Sequence, residues 1–112
     1  MEEDRRARER KVPEYDLESV RHAFAEGRFE STRRVRRHLY RKRRDPEWVR
    51  ACIGSLGRTD FHKSQEHECR PDVWLDIYRP HWRGERLYVK FVLHEDEETY
   101  LVLTFCIDGE QH

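Results

Sequence analysis

The sequence has few cysteines, no long apolar segment and no net charge. The cysteines are odd in number, and none of them forms a CxxC pair: they are Cys52, Cys69 and Cys106. They do not indicate a disulfide framework, and a reducing cytoplasm is the expected location. A structural zinc site requires four ligands at a regular spacing. His67 lies near Cys69, but no second pair of ligands accompanies them, so we expect neither a metal nor another cofactor.

The apolar stretches are too short for a membrane-spanning helix. The opening residues, MEEDRRARERK, are too charged for a secretory signal, so we expect no membrane partner. Charged residues make up 41% of the 112 residues, which approaches a disordered composition, but 3 Trp, 5 Tyr and 5 Phe favour a folded protein. We predict a loose N-terminal tail over 1–14 and a single domain over 15–108.

Charge is distributed unevenly along the chain. Residues 1–50 contain 16 Lys and Arg against 11 Asp and Glu, whereas the remainder contains 7 against 12. The densest basic run, residues 33–44, contains eight Lys and Arg and no acidic residue. Such a run is compatible with binding of a polyanion, with an acidic protein partner, or with an ordinary solvated helix face.

The first half of the chain has the periodicity of helices. Apolar residues recur at helical spacing between a candidate N-cap at Asp16 and a stop at Gly27, which predicts a helix over about 16–26. A second helix is expected within 31–44. A third is expected within 45–57, where an Asp-Pro pair provides an N-cap and a favourable first helical residue.

After residue 57 the period changes to two, which is typical of strands. Strands are predicted over 60–66, 72–79, 86–94 and 99–106, with a hairpin connection at 81–85. In the third strand Leu87 and Phe91 share one face, while Tyr88 and Lys90 share the other. Helices followed by consecutive strands predict an α+β domain. The N-terminal helices would pack on the Leu87 face of a mostly antiparallel sheet, leaving the opposite face open to a ligand.

Several segments occur in an order and at a spacing that resemble a known family. They are LESVRHAFAEGRF, SLGRTDFHKS, VWLDIYRP, GERLYVK and YLVLTF. Together they resemble the MqsR family of toxins over residues 16–106, with residues 30–50 similar only in pattern. The combination of W-x-D-I-Y-R-P with D-F-x-K-S is more specific than either motif alone.

The resemblance implies a RelE-like fold and an mRNA interferase, which is a metal-independent endoribonuclease that cuts single-stranded mRNA in a sequence-dependent way. It also implies a cognate antitoxin with a zinc-binding part and a helix-turn-helix part, and in some systems a chaperone that assists the antitoxin. RNA supplies its own nucleophile, the 2′-hydroxyl. The protein must therefore take a proton, stabilise charge on the phosphate and return a proton.

Carried over by position, the family's catalytic lysine corresponds to Lys63 and its catalytic tyrosine to Tyr88. Arg79 ends the VWLDIYRP strand, and its planar guanidinium matches phosphate oxygens. We treat these three as the catalytic candidates. The sequence departs from the family at two catalytic positions, because a glutamine is replaced by Leu75 and a lysine by Cys106.

His62 titrates near neutral pH, but on a regular strand it would face away from Lys63, which makes it a reserve catalytic candidate. The candidates for RNA binding are Arg33, Arg34, Arg36 and Arg37 in the basic run and Lys90 on the open face. Replacements for the missing groups are sought among His62, His81, Lys90 and His94.

Ordinary structural explanations remain open for these residues. Arg79 would serve as an ion-pair partner of Asp76 or Glu85, and Tyr88 as a packing residue. If the two departures abolish cleavage, the chain would be a catalytically impaired module of the same fold that binds RNA or its antitoxin. A DNA-binding helix pair over 31–56 is a third alternative, but it leaves the strands unexplained.

Overall fold

The computed structural model describes residues 8–110, which form three α-helices and a seven-stranded sheet. The helices are α1 (Leu17–Ala25), α2 (Arg33–Arg41) and α3 (Glu47–Ile53), and a short 3-10 turn follows at Arg58–Asp60. The strands are β1 (Glu9–Arg10), β2 (Phe29–Ser31), β3 (Phe61–Glu66), β4 (Trp74–Tyr78), β5 (His81–Trp82), β6 (Glu85–Leu93) and β7 (Tyr100–Ile107).

The strands lie in the order β1-β3-β4-β6-β7-β2, and β5 pairs with β6 at the predicted hairpin. Neighbouring strands are antiparallel except β2, which runs parallel to β7. The predicted α+β class and mostly antiparallel sheet are therefore confirmed. The strand β2 has only three residues, which is too short to show a period of two in the sequence.

The helices begin close to the predicted capping residues. The Asp16 carboxylate caps α1, and Gly27 adopts a φ of 80° just beyond the end of that helix. Thr32 caps α2 with its hydroxyl. Asp45 accepts the Glu47 N–H at 2.9 Å, and α3 begins at Glu47, one residue after the predicted first helical residue, Pro46.

The helices cover one face of the sheet and build the core with it. Val20 and Phe24 of α1 belong to the same buried cluster as Leu87, Val89 and Phe91 of β6. The Phe24 and Phe91 ring centroids lie 5.9 Å apart. Full burial of each such side chain stabilises the fold by about 1.5–3 kcal/mol. The predicted packing of the helices on the Leu87 face is confirmed.

The stretch predicted to be a loose tail is part of the fold from residue 8 onward, so that prediction is wrong for residues 8–14. Glu9 and Arg10 pair with β3, and the Glu66 N–H donates to the Arg8 carbonyl at 2.8 Å. The Arg10 guanidinium lies 4.0 Å from the centroid of the Trp74 ring. Cation–π contacts and edge pairing hold this segment, and neither produces an apolar period in the sequence. Residues 1–7 lie outside the described residues.

The predicted domain boundary at residue 108 leaves out a residue that fastens the end of β7 to α2. The Glu110 carboxylate accepts two N–H groups of Arg44, at 2.8 and 2.9 Å, and lies 3.0 Å from His38 Nε2. The hydrogen bonds from Arg44 hold the pKa of Glu110 well below its usual range. This carboxylate therefore stays ionised at neutral pH.

Candidate active site

The open face of the sheet, opposite the helices, brings the predicted catalytic residues together. Lys63 of β3 pairs with Ile77 of β4, which in turn pairs with Lys90 of β6. Tyr88 lies two residues before Lys90 and therefore points to the same face. The spacing of strands puts the Cα atoms of Lys63 and Lys90 about 10 Å apart, with Tyr88 about 7 Å along β6 from Lys90. Their long side chains thus surround one patch of the sheet.

His62 belongs to this patch, which corrects the prediction for a regular strand. The register between β3 and β4 shifts between Phe61 and Lys63, and such an irregularity re-aims the side chain that lies in it. The His62 ring lies 6.4 Å from the Tyr88 ring. Burial lowers the pKa of His62, and the charges of Arg79 and Lys63 lower it further. The imidazole is therefore neutral near pH 7 and able to accept a proton.

The Lys63 ammonium has a carboxylate partner on the N-terminal strand. Its Nζ donates to Glu9 Oε2 at 2.6 Å. The hydrogen bond from Lys63 lowers the pKa of Glu9, so this carboxylate is ionised at neutral pH. Glu9 is half-exposed, and a pair this accessible to solvent is weak enough for another anion to compete with it.

Arg79 also has a partner, and it is neither of the two that the sequence suggested. Its Nε and Nη2 donate to Asp108 Oδ2 at 3.0 and 2.5 Å. Asp76 is buried and engaged elsewhere, and Glu85 lies at the hairpin. The Arg79–Asp108 pair is partly exposed, so the guanidinium remains accessible from the open face.

Lys90 connects the sheet to the basic helix. Burial lowers the pKa of Lys90, Glu68 opposes this shift, and the charges of Lys63 and Arg34 add to it. The charge of Arg34 on α2 therefore acts on Lys90. Arg33, Arg34, Arg36 and Arg37 are all exposed, and the Arg36 guanidinium donates to the Ser31 carbonyl. The predicted RNA-binding residues therefore form two groups that meet at Arg34 and Lys90.

The two departures from the family pattern leave uncharged groups on the open face. Leu75 and Cys106 are 7% and 4% exposed. Burial raises the pKa of the Cys106 thiol to about 11, so the thiol is neutral at physiological pH. Gln65 of β3 is the direct ladder partner of Leu75, and it shares the face of Lys63 two residues away. The sequence could not single out Gln65, because its cross-strand partner is known only from the sheet register.

Asp76, in the middle of the VWLDIYRP motif, has a structural role that the sequence did not reveal. Its fully buried carboxylate accepts the N–H groups of Glu14 and Tyr15, each at 2.9 Å, and the Ser64 hydroxyl at 2.8 Å. Burial raises the pKa of Asp76. These hydrogen bonds fasten the N-terminal segment to the sheet and thereby hold Glu9 beside Lys63.

Within residues 8–110, no group of three or more His, Cys, Asp or Glu side chains is arranged to hold a metal ion. The three cysteines are free thiols. None of the described helices is long and apolar enough to cross a membrane.

A helix-covered antiparallel sheet with a cluster of cations, a histidine and a tyrosine on its open face defines a small α+β protein with a cationic sheet surface. Residues 12–106 match the family described as motility quorum-sensing regulator, toxin of MqsA. The chain therefore belongs to the MqsR toxin family, as the sequence segments indicated. The description of the family implies an antitoxin partner, MqsA. No curated protein matches the chain.

Proposed function

We propose that this protein is an endoribonuclease toxin that cleaves single-stranded mRNA without a metal and is neutralised by its antitoxin. The observation that carries the proposal is the convergence of His62, Lys63, Arg79 and Tyr88 on one open face. The set contains a proton acceptor, two cations and a phenol. Cleavage of RNA through its own 2′-hydroxyl needs these functions.

His62 is the proton acceptor in this proposal. Its lowered pKa, caused first by burial and then by neighbouring cations, keeps the imidazole neutral. The imidazole takes the proton of the 2′-hydroxyl as the 2′-oxygen attacks the adjacent phosphorus. The bond from phosphorus to the 5′-oxygen then breaks and leaves a 2′,3′-cyclic phosphate. DNA has no 2′-hydroxyl and is not a substrate.

Lys63 and Arg79 stabilise the negative charge that develops on the phosphate. Both cations already face a carboxylate, Glu9 for Lys63 and Asp108 for Arg79. Since both pairs are accessible to solvent, a phosphate can compete for each cation at modest cost. The sheet and these pairs hold the cations in place before RNA binds, which limits the reorganisation that catalysis requires.

Tyr88 supplies the proton to the leaving 5′-oxygen. Burial raises the pKa of Tyr88, although the charge of Lys63 opposes this shift, so the phenol keeps its proton until a strong base develops. The 5′-alkoxide is such a base. After cleavage, the proton held by His62 returns to the Tyr88 oxygen through solvent, which restores both groups.

Gln65 provides the amide that the family resemblance leads us to expect at position 75. The support for this role is positional: Gln65 faces Leu75 across the ladder and lies on the Lys63 face. Its amide offers both a donor and an acceptor for ribose or base atoms. A shift of the amide from one strand to its neighbour would preserve that function on the same patch.

The test is single-turnover cleavage of a labelled single-stranded RNA in EDTA. We expect wild type to produce cyclic phosphate ends and to leave DNA intact. Lys63→Ala should reduce the rate by about 10²–10³-fold, and His62→Gln or Tyr88→Phe by about 10²–10⁴-fold. Arg79→Gln should also reduce the rate. His22→Gln, at an exposed position on α1, is the matched control and should cleave at the wild-type rate.

A catalytically impaired module that binds RNA or the antitoxin is the second candidate. Two neutral groups, Leu75 and Cys106, at family catalytic positions favour it. Binding to an RNA with a 2′-deoxy substitution at the cleavage point separates the two functions, because this analogue cannot react. Tight binding of many RNAs without cleavage of their unmodified forms would replace the first proposal with the second.

A further inference from the structure

Helix α2 presents an outward face that contains an exposed aromatic residue among arginines. Val35, His38 and Leu39 are its buried residues and define the side that faces the protein. Tyr40 is 84% exposed. By helical geometry it lies opposite the buried side, one turn from Arg36 and Arg37. Exposure of so large a ring contributes nothing to the core, so its position is not explained by packing.

Among residues 8–110, most of the positive charge of this face has no carboxylate partner. No described carboxylate forms an ion pair with Arg33, Arg34, Arg37 or Arg41, and these four side chains line one surface depression. Arg36 donates to the Ser31 carbonyl. The neighbouring basic residues that do have an acidic partner, Lys42 and Arg44, both contact Glu110. The outer face of α2 is therefore available to a polyanion.

The pairing of an exposed ring with guanidinium groups specifies the kind of polyanion. An aromatic side chain can stack on an unpaired base, whereas bases in a duplex are already stacked on each other. Arginines beside the ring can hold the phosphates that flank the stacked base. An acidic protein would satisfy the arginines, but it offers no particular partner for the face of Tyr40.

The face is also continuous with the catalytic patch. Arg34 lies on the flank of α2 close enough to Lys90 for their charges to interact. Arg41 lines the same surface depression as Arg34 and follows it by about two helical turns. A cationic path thus leads from the sheet across Arg34 to Tyr40.

We propose that the outer face of α2 binds the single-stranded RNA that flanks the cleavage point, with Tyr40 stacking on a base and Arg33, Arg36 and Arg37 contacting phosphates. This inference deepens the proposed function and rests on it for the identity of the bound RNA. It predicts that affinity increases with RNA length, because only a longer strand reaches from Lys63 to Tyr40.

The experiment compares a short and a long RNA, both with a 2′-deoxy substitution that prevents cleavage. Fluorescence anisotropy measures the affinity of each RNA for wild type, Tyr40→Ala, Tyr40→Phe and an Arg33→Gln/Arg37→Gln double variant. Loss of one stacked base should weaken binding of the long RNA by about 5- to 150-fold. Phenylalanine keeps the ring and should retain most of the affinity.

The double arginine variant should also flatten the salt dependence for the long RNA, by roughly 0.7 in the log–log slope for each phosphate that an arginine no longer neutralises. The short RNA should bind all variants equally. Val12→Ala, at a site 64% exposed elsewhere, and Arg58→Gln, at an exposed arginine of the 3-10 turn, are matched controls that should change neither affinity.

Equal affinity of Tyr40→Ala and wild type for the long RNA would overturn the inference, as would an equal decrease in affinity for short and long RNA. If these variants instead lose only antitoxin binding, α2 is a protein-binding surface and the inference is wrong. Cleavage of a short unmodified RNA is a separate readout. If the inference is wrong but the proposed function is right, the short RNA is cleaved and Tyr40→Ala binds the long RNA as wild type does. If the proposed function is wrong, no RNA is cleaved, whether or not binding depends on RNA length.

Discussion

Asp76 offers a prediction whose magnitude follows from the structure. Asp76→Ala removes the acceptor of three hydrogen bonds, from the Glu14 and Tyr15 N–H groups and the Ser64 hydroxyl. Hydrogen bonds to a charged group contribute about 1.5–3 kcal/mol each. Two effects reduce the sum of these three contributions. Water can reach the backbone near Glu14 and replace part of the lost hydrogen bonding. Removal of a buried carboxylate also recovers the free energy of its desolvation, which is the cause of the raised pKa of Asp76.

We therefore expect Asp76→Ala to lower the free energy of unfolding by about 3–5 kcal/mol, a large part of the ~5–15 kcal/mol that stabilises a typical domain. Asp76→Asn keeps one acceptor oxygen and should lose about half as much. Urea unfolding measures the change, with an expected decrease of about 2 M in the midpoint. Asp72→Asn, at an exposed position in the preceding turn, is the matched control and should stay within about 0.5 kcal/mol of wild type.

A second readout tests the cause of the destabilisation. If Asp76 fastens the N-terminal segment, the amide hydrogens of Glu14 and Tyr15 should exchange with solvent much faster in Asp76→Ala than in wild type under native conditions. An unchanged urea midpoint would refute the reasoning. So would a lower midpoint with wild-type exchange at those two amides, because the destabilisation would then arise elsewhere.

Three further predictions concern the ends of the chain and the sheet. Glu9→Gln should tighten binding of an uncleavable RNA by about 2- to 5-fold, because the carboxylate that competes for the Lys63 ammonium is removed. An unchanged affinity, measured by fluorescence anisotropy, would mean that phosphate binds without displacing Glu9. Gln65→Leu should lower the single-turnover rate, and added Leu75→Gln should restore it; a wild-type rate for Gln65→Leu would exclude the amide from the reaction. Glu110→Gln should be less stable than wild type at pH 7, and the difference in stability should shrink as pH falls below ~4.5. A carboxylate with a lowered folded-state pKa stabilises the fold above its ordinary pKa and loses that contribution on protonation. A stability difference that is independent of pH in thermal unfolding would contradict the role of the Arg44 pair.

The elements that the sequence predicted well are those with a clear local signal. The helix α1 lies between Asp16 and Gly27 because a carboxylate cap and a residue that tolerates positive φ mark its two ends. The strand β6 follows from the alternation of Leu87, Val89 and Phe91 with Tyr88 and Lys90. Both signals are contained in one short segment, so they can be recognised without knowledge of the rest of the fold.

The elements that the sequence missed depend on contacts between distant segments. Glu9 and Lys63 are 54 residues apart, and their contact requires β1 to pair with the edge of β3. The position of His62 depends on a register shift that appears only when β3 is laid against β4. Period-two patterning assigns faces within a regular strand, and it fails where the ladder inserts or omits a residue.

The same distinction explains the form of the candidate site. Lys63 and Lys90 lie on β3 and β6, and Arg79 directly follows β4, the strand between them. The fold, and not the local sequence, brings Glu9 to Lys63 and Asp108 to Arg79, and it buries Lys90. A motif search can therefore recover the residue types but not their charge balance. That balance decides whether a phosphate finds free cations or must compete for them. If the protein binds RNA as proposed, the phosphate must compete with Glu9 and Asp108, so these partly exposed ion pairs would contribute to the RNA affinity beside the proposed catalytic groups.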